Sequence, residues 1–260
     1  MKKKTNALPR VYMGIIFAFL YLPIVILIIF SFNAAKSRGV WAGFSLKWYA
    51  MMLKDEKMIS SVMITFACGI LAAVISTVIG TISAIGLYNA KKKTRSILLS
   101  LSYIPMLNAE IVTGISLMMM YTMFNMRLGF VTLLLSHITF CIPYVILTVL
   151  PKVKQFEYSH YIAALDLGAT PAYAFRKIVL PDLMPGIVAG FLLAFTFSID
   201  DFIISFMTTG NGINNLSITI YTMTKRGINP EINAVSTIVF AIILMLLIAM
   251  NIKSSKKKGE

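Results

Sequence analysis

The stretch from Pro151 to Pro181 reads PKVKQFEYSHYIAALDLGATPAYAFRKIVLP. Apolar runs long enough to cross a membrane lie on both sides of it, and neighbouring spans in so greasy a chain are ordinarily joined by a short turn. Here a long amphipathic segment intervenes. Phe156–Leu167 has helical periodicity. Gly168 follows, a residue that tolerates the left-handed geometry that ends helices. Thr170 is suited to cap a second helix, with Pro171 at its first position. That helix, AYAFRKIVL, is expected to present Tyr173, Phe175, Ile178 and Val179 and to stop at Pro181, with Pro185 opening the next span. The expectation is a short helix-turn-helix held at both ends by the membrane, on its basic side, where a soluble partner can grip it. Attachment to two spans speaks against a DNA-reading helix-turn-helix.

Composition agrees with a membrane setting. Hydrophobic residues make up 58% of the 260 residues and charged ones only 13%, against ~45–50% apolar in soluble domains. Mean hydropathy is +0.83. The net charge of +14 does not mark a nucleic-acid binder, because the basic residues sit at span ends, where anionic headgroups and the positive-inside rule account for them. Cys68 and Cys141 fall inside apolar runs with no C-x-x-C spacing, and His137 and His160 have no ligand-type neighbours in sequence. No metal or other cofactor is expected.

A spanning helix needs ~20 apolar residues. Six candidates emerge: Val11–Asn33, Met58–Tyr88, Ile97–Tyr121, Gly129–Leu150, Pro185–Phe206 and Ala234–Ile252. The first has too long an apolar core for a signal peptide, and no clear cleavage site follows, so it is read as retained. One transmembrane domain, 1–260, with an insert at 152–184, is the expected organisation. Lys2, Lys3, Lys4 and Arg10, then Lys91, Lys92, Lys93 and Arg95, then Lys152, Lys154, Arg176 and Lys177, and finally Lys253, Lys256, Lys257 and Lys258 fall on one side. This bias places both termini in the cytoplasm. The outer loop FSLKWYAMM, Phe44–Met52, is expected to form an interfacial helix, with Trp41, Trp48 and Tyr49 at the water–lipid boundary. In the second span Ala72, Ser76, Gly80 and Ala84 share one face and invite close helix packing.

Three carboxylates lie within spans: Glu110, Asp200 and Asp201. An acid at mid-membrane costs about 2.5–3.5 kcal/mol on insertion scales, so such residues face a cavity or a partner. Read as unbroken helices rising ~1.5 Å per residue, the third and fifth spans put Glu110 and Asp200 in one layer, roughly 20 Å from the inner end. Negative charge there favours a cationic solute. Adjacent helical positions point ~100° apart, so Asp200 and Asp201 cannot face the path equally. Tyr103, Phe195, Phe197 and Phe202 are candidate cation–π faces.

The insert resembles the cytoplasmic motif of permease subunits in binding-protein-dependent ABC importers: EAA, three residues, G, nine residues, then I-x-L-P. Ala163 and Ala164 match its alanines, Gly168 its glycine, and Ile178, Leu180 and Pro181 its ending, while Ile162 replaces the usual glutamate. Glu157 and Asp166 are candidate substitutes for that charge. The runs FTFSIDDFIISFMTTG (Phe195–Gly210), LSITIYTMTKRGINPEINAVSTI (Leu216–Ile238) and PMLNAEIVTGISL (Pro105–Leu117) are similar to the PotC-type permeases of spermidine/putrescine importers. The resemblance implies an all-α bundle of six transmembrane helices, the MetI-like fold of type I importers, in the bacterial cytoplasmic membrane. It implies a coupling helix docked on an ATP-binding cassette ATPase dimer, a second permease subunit, and an extracytoplasmic polyamine-binding protein seated on outer loops that include Phe44–Met52 and Gly210–Pro230. The chain lacks a P-loop, so hydrolysis would belong to the partner and this subunit would not be an enzyme. Polyamines would then pass near Glu110, Asp200 and Asp201. The rivals are an ABC permease for another solute (an iron complex, thiamine or an amino acid), a stand-alone cation carrier and, last, an intramembrane protease.

Overall fold

The structure, a computed structural model, describes residues 7–36, 40–227 and 230–256. Lys2, Lys3, Lys4, Lys257 and Lys258 of the basic ends, and residues 228–229 of the outer segment, lie outside these. In chain order the helices are α1 (Ala7–Ser31), α2 (Lys47–Met52), α3 (Glu56–Asn89), α4 (Lys92–Leu107), α5 (Glu110–Met123) and α6 (Phe130–Gln155). They continue as α7 (Tyr158–Asp166), α8 (Pro171–Ala174), a π-turn (Phe175–Val179), α9 (Leu180–Asp200), α10 (Ile203–Thr208), α11 (Leu216–Arg226) and α12 (Glu231–Lys256). Among the described residues the only extended pairing is one isolated bridge, Asn33 with Phe44. Among the described residues five helical stretches are long and apolar enough to span a membrane, six if the bent pair of α4 and α5 counts as one span.

Two compact units emerge, one of Met1–Ile59 with Ile220–Glu260 and the other of Ser60–Thr219. In the first, α12 packs on α1 and α2. Trp48 is 1% exposed and its indole N–H donates to the Asn33 carbonyl at 2.6 Å. The ring therefore faces the protein interior, its indole N–H satisfied by a buried acceptor. Trp41 stays half exposed, and the Tyr49 hydroxyl lies 2.6 Å from that of Ser31.

In the second unit α6 and α9 form the main pair. Val145 is fully buried between two glycines. A methyl added at Gly80 of α3 would stand 2.7 Å from its Cβ, and one at Gly190 of α9 would stand 3.3 Å from its Cγ1. Ala72, Ser76 and Ala84 are also fully buried, so the small face of α3 is a packing face. The Thr65 hydroxyl accepts the Leu216 amide at 2.7 Å, fixing the start of α11 to α3.

Three expectations need correction. The third span is not one rod. Pro105 withholds an amide from α4, Asn108 and Ala109 turn extended, and α5 departs at 104°. The fifth span is not continuous to Phe206 either, because α9 ends at Asp200 and Asp201 is extended. Depths reckoned along unbroken helices, and the ~100° offset of the two acids, therefore do not hold. Finally, the second helix of the insert does not stop at Pro181, since Pro171–Asp200 is helical throughout. The π-turn before Pro181 takes up the register that a residue without an amide hydrogen disturbs, and the helix continues into the membrane.

Candidate functional site

Both breaks open onto one space. A cavity of about 370 Å³ is lined by Glu110, Asp200 and Asp201, with Phe140, Tyr144, Phe197 and Phe202 among its walls. Non-helical backbone inside a membrane is tolerated where it borders such a cavity. The acids arrive there by different routes. Glu110 is the first residue of α5 and is exposed. Asp200 is the last residue of α9 and is also exposed. Asp201 is buried, and its carboxylate accepts the Ile204 amide at 3.3 Å and the Ser205 amide at 2.7 Å, capping α10.

Helix ends distinguish the three further. Glu110 and Asp201 stand at helix N-termini, where the backbone field is positive and partly compensates them. Asp200 stands at a C-terminus, where the field adds to its negative charge.

Of the four aromatics nominated from sequence, Phe197 and Phe202 reach the cavity. Phe195 does not: it is buried beside Phe191 and Phe66, at ring-centroid distances of 6.1 and 6.5 Å. Tyr103 lies on α4, outside the lining. Tyr144 was not nominated, yet it packs on Phe197 at 4.5 Å and shares the wall. His137 has no ligand-type neighbours in sequence, yet it is not isolated in the fold. It is 1% exposed, its Nδ1 meets the Ser198 hydroxyl, and its Nε2 lies 3.0 Å from the Ser205 hydroxyl and 3.5 Å from Asp201 Oδ2. Its partners are 61 to 68 residues away, so no local pattern could have announced them. Among the described residues no group of three or more His, Cys, Asp or Glu is placed to hold a metal ion.

The insert forms the other candidate surface. Gly168 has φ +87°, a conformation in which glycine ends α7 without strain. The Thr170 hydroxyl accepts the Tyr173 amide, with Pro171 at the first helical position. Ala163, Gly168 and Pro181 are exposed, and Ala164, Ile178 and Leu180 are half-buried. Leu167 at the turn is 89% exposed, with Tyr158 at 60% and Tyr173 at 59%. Exposed apolar side chains beside small ones, on a preformed turn, suit close docking by another protein. Ile162 is exposed on the same helix, and Glu157 lies 3.6 Å from His160.

Within the second unit an acidic cavity lies between apolar helices and an exposed insert joins two of them, features suited to a subunit of a membrane transport system. The chain belongs to the family of binding-protein-dependent transport system inner membrane components, whose model matches residues 76–253. It is 37% identical over 250 residues to the spermidine/putrescine transport system permease protein PotC of Escherichia coli (strain K12), covering 96% of this chain and 95% of that one. It is 35% identical over 230 residues to the putrescine transport system permease protein PotI of the same strain, covering 86% and 82%. Among solved structures it resembles a chain of a bacterial ABC transporter that imports the acidic polysaccharide alginate, with TM-score 0.74, 15% identity and coverage of 96% and 95%. It also resembles a chain of the inward-facing MetNI methionine ABC transporter, with TM-score 0.64, 19% identity and coverage of 80% and 97%. The fold is that of a MetI-like ABC importer permease, and the chain is a multi-pass permease subunit of such an importer.

Proposed function

We propose that this permease moves polyamines, spermidine or putrescine, into the cell through the cavity of Glu110, Asp200 and Asp201. The carrying observation is that these acids, two of them exposed, gather beside aromatic walls. Protonated amines joined by short methylene chains suit that lining, since carboxylates meet the charges and ring faces meet both the charges and the methylenes. Identities of 37% and 35% to polyamine permeases, over 96% and 86% of this chain, support the same cargo.

The machine consists of this transmembrane domain, a second permease, an ATP-binding cassette ATPase dimer and an extracytoplasmic polyamine-binding protein. Both termini are cytoplasmic, in keeping with the basic clusters at the inner segments. The binding protein delivers its cargo at the outer loops. ATP closes the ATPase dimer, and its movement enters this chain through Ala163, Ala164 and Gly168 and passes along the helix that holds Ile178, Leu180 and Pro181. Because Pro171–Asp200 is one helical stretch, a push at the insert travels directly to Asp200. Hydrolysis takes place in the ATPase, and this subunit is not an enzyme. Glu157 or Asp166 supplies the acidic contact that Ile162 cannot, and unchanged coupled ATPase activity after charge reversal at each would remove that role.

The function is tested by uptake of labelled spermidine and putrescine in cells that depend on this importer. Removing Tyr158–Arg176 is expected to release the ATPase on purification and abolish uptake. Retention of the ATPase by that deletion contradicts the coupling role.

A further inference from the structure

His137 is a titratable side chain deep in α6 that moving a cargo does not obviously use. Both of its ring nitrogens are engaged, and their partners Ser198, Asp201 and Ser205 lie on α9, on the break after it and on α10. Asn215 completes the cluster, its amide donating to the Ser205 hydroxyl at 2.8 Å and to the Asp201 carbonyl at 3.4 Å. A carboxylate oxygen beside Nε2 calls for a hydrogen on that nitrogen. Asp201 also accepts two backbone amides, and only 4% of its side chain remains exposed. Asp200, one residue earlier, is exposed at the cavity.

We infer that His137 is a positioning residue for translocation. It locks Asp201 into the α9–α10 break, so that Asp200, with Glu110, presents the charge that cargo meets. The inference rests on the polyamine reading above and assigns different tasks to two adjacent acids. A buried carboxylate without its partner is costly inside a membrane. Without His137, Asp201 takes up a proton or turns into the cavity, where it holds the cargo amines and shifts the break. Removing the charge of Asp201 relieves both faults, and the one oxygen of asparagine still accepts the Ser205 amide, while its amide nitrogen cannot accept from Ile204.

The test uses the full importer reconstituted in proteoliposomes, reading ATP-driven spermidine uptake together with the melting temperature of the purified complex. His137→Leu is expected to lower uptake about tenfold, in line with loss of a charge-assisted hydrogen bond. Adding Asp201→Asn to that background is expected to restore most of both uptake and melting temperature. Adding Asp200→Asn instead lowers uptake further. Uptake by the His137→Leu, Asp201→Asn pair below that of either single variant would make Asp201 a direct cargo ligand and overturn the inference. If His137→Leu does not assemble, His137→Ala with and without Asp201→Asn decides the same point. A wild-type complex without polyamine uptake contradicts the cargo assignment, and the melting temperatures then judge the pairing alone: no recovery on adding Asp201→Asn overturns it.

Discussion

The two broken helices that meet at the cavity are finished in opposite ways. At the α9–α10 break the carboxylate of Asp201 is buried, caps the following helix and lies beside His137, while Asn215 donates to the Ser205 hydroxyl and the Asp201 backbone carbonyl. At the α4–α5 break the backbone bends by 104°, no side chain caps α5, and Glu110 stands exposed. Both breaks expose polar backbone ends that a hydrocarbon environment would penalise. At the first, hydrogen bonds use up the Asp201 carboxylate and leave Asp200 exposed, and at the second Glu110 keeps its charge available. Charge by itself therefore does not identify a cargo ligand in this membrane protein. What matters is whether neighbouring groups already use it.

Changes on either side of this contrast should differ in size and kind. Asp200→Lys places a cation where the cargo's charge must pass. Like-charge juxtaposition costs several kcal/mol, so uptake is expected to fall by about 100-fold or more. Near-normal uptake would remove Asp200 from the path. Asn215→Leu strips a donor from the α9–α10 break and is expected to destabilise the protein by ~1–3 kcal/mol, seen as a lower melting temperature. The matched change Asn108→Leu, at the α4–α5 break, is expected to stay within ~0.5 kcal/mol. Equal losses at the two sites would erase the distinction between them. Glu110→Gln keeps shape and removes charge, and about tenfold slower uptake with an unchanged melting temperature is expected from one charged contact. The smallest effect belongs far from both breaks. Thr170→Ala loses one cap in the insert, worth ~1 kcal/mol locally, and should weaken ATPase retention slightly while uptake persists.

Much of the fold was legible in the chain. Apolar runs mark the spans, and the polarity of 151–181 marks the insert. Gly168, Thr170 and Pro171 punctuate it as the observed φ of +87° and the Thr170 cap require. The small face of α3 also announced that it packs, and a methyl added at Gly80 would stand only 2.7 Å from Val145. The breaks were harder to read, because an apolar run reports burial in lipid and not straightness. Pro105 and Asn108 were the local signals of the first break. Pro181 misled in the other direction: a proline is a reasonable helix stop in water, yet here a π-turn absorbs it and the helix runs on. The three acids were visible as costly residues in the membrane, but their separate roles depend on partners distant in sequence. Asp201 and His137 are brought together only by the packing of α6 on α9 and α10.

The central claim is that ATP drives polyamine through the cavity bordered by Glu110 and Asp200. The most direct measurement is accumulation of labelled spermidine in proteoliposomes containing the whole importer, with wild-type permease or with Glu110→Gln and Asp200→Asn together. The account predicts ATP-dependent accumulation by the wild type and about 100-fold less by the double variant, as two charged contacts are lost, while ATP hydrolysis by the assembled complex continues. Accumulation by the double variant at the wild-type rate would contradict it.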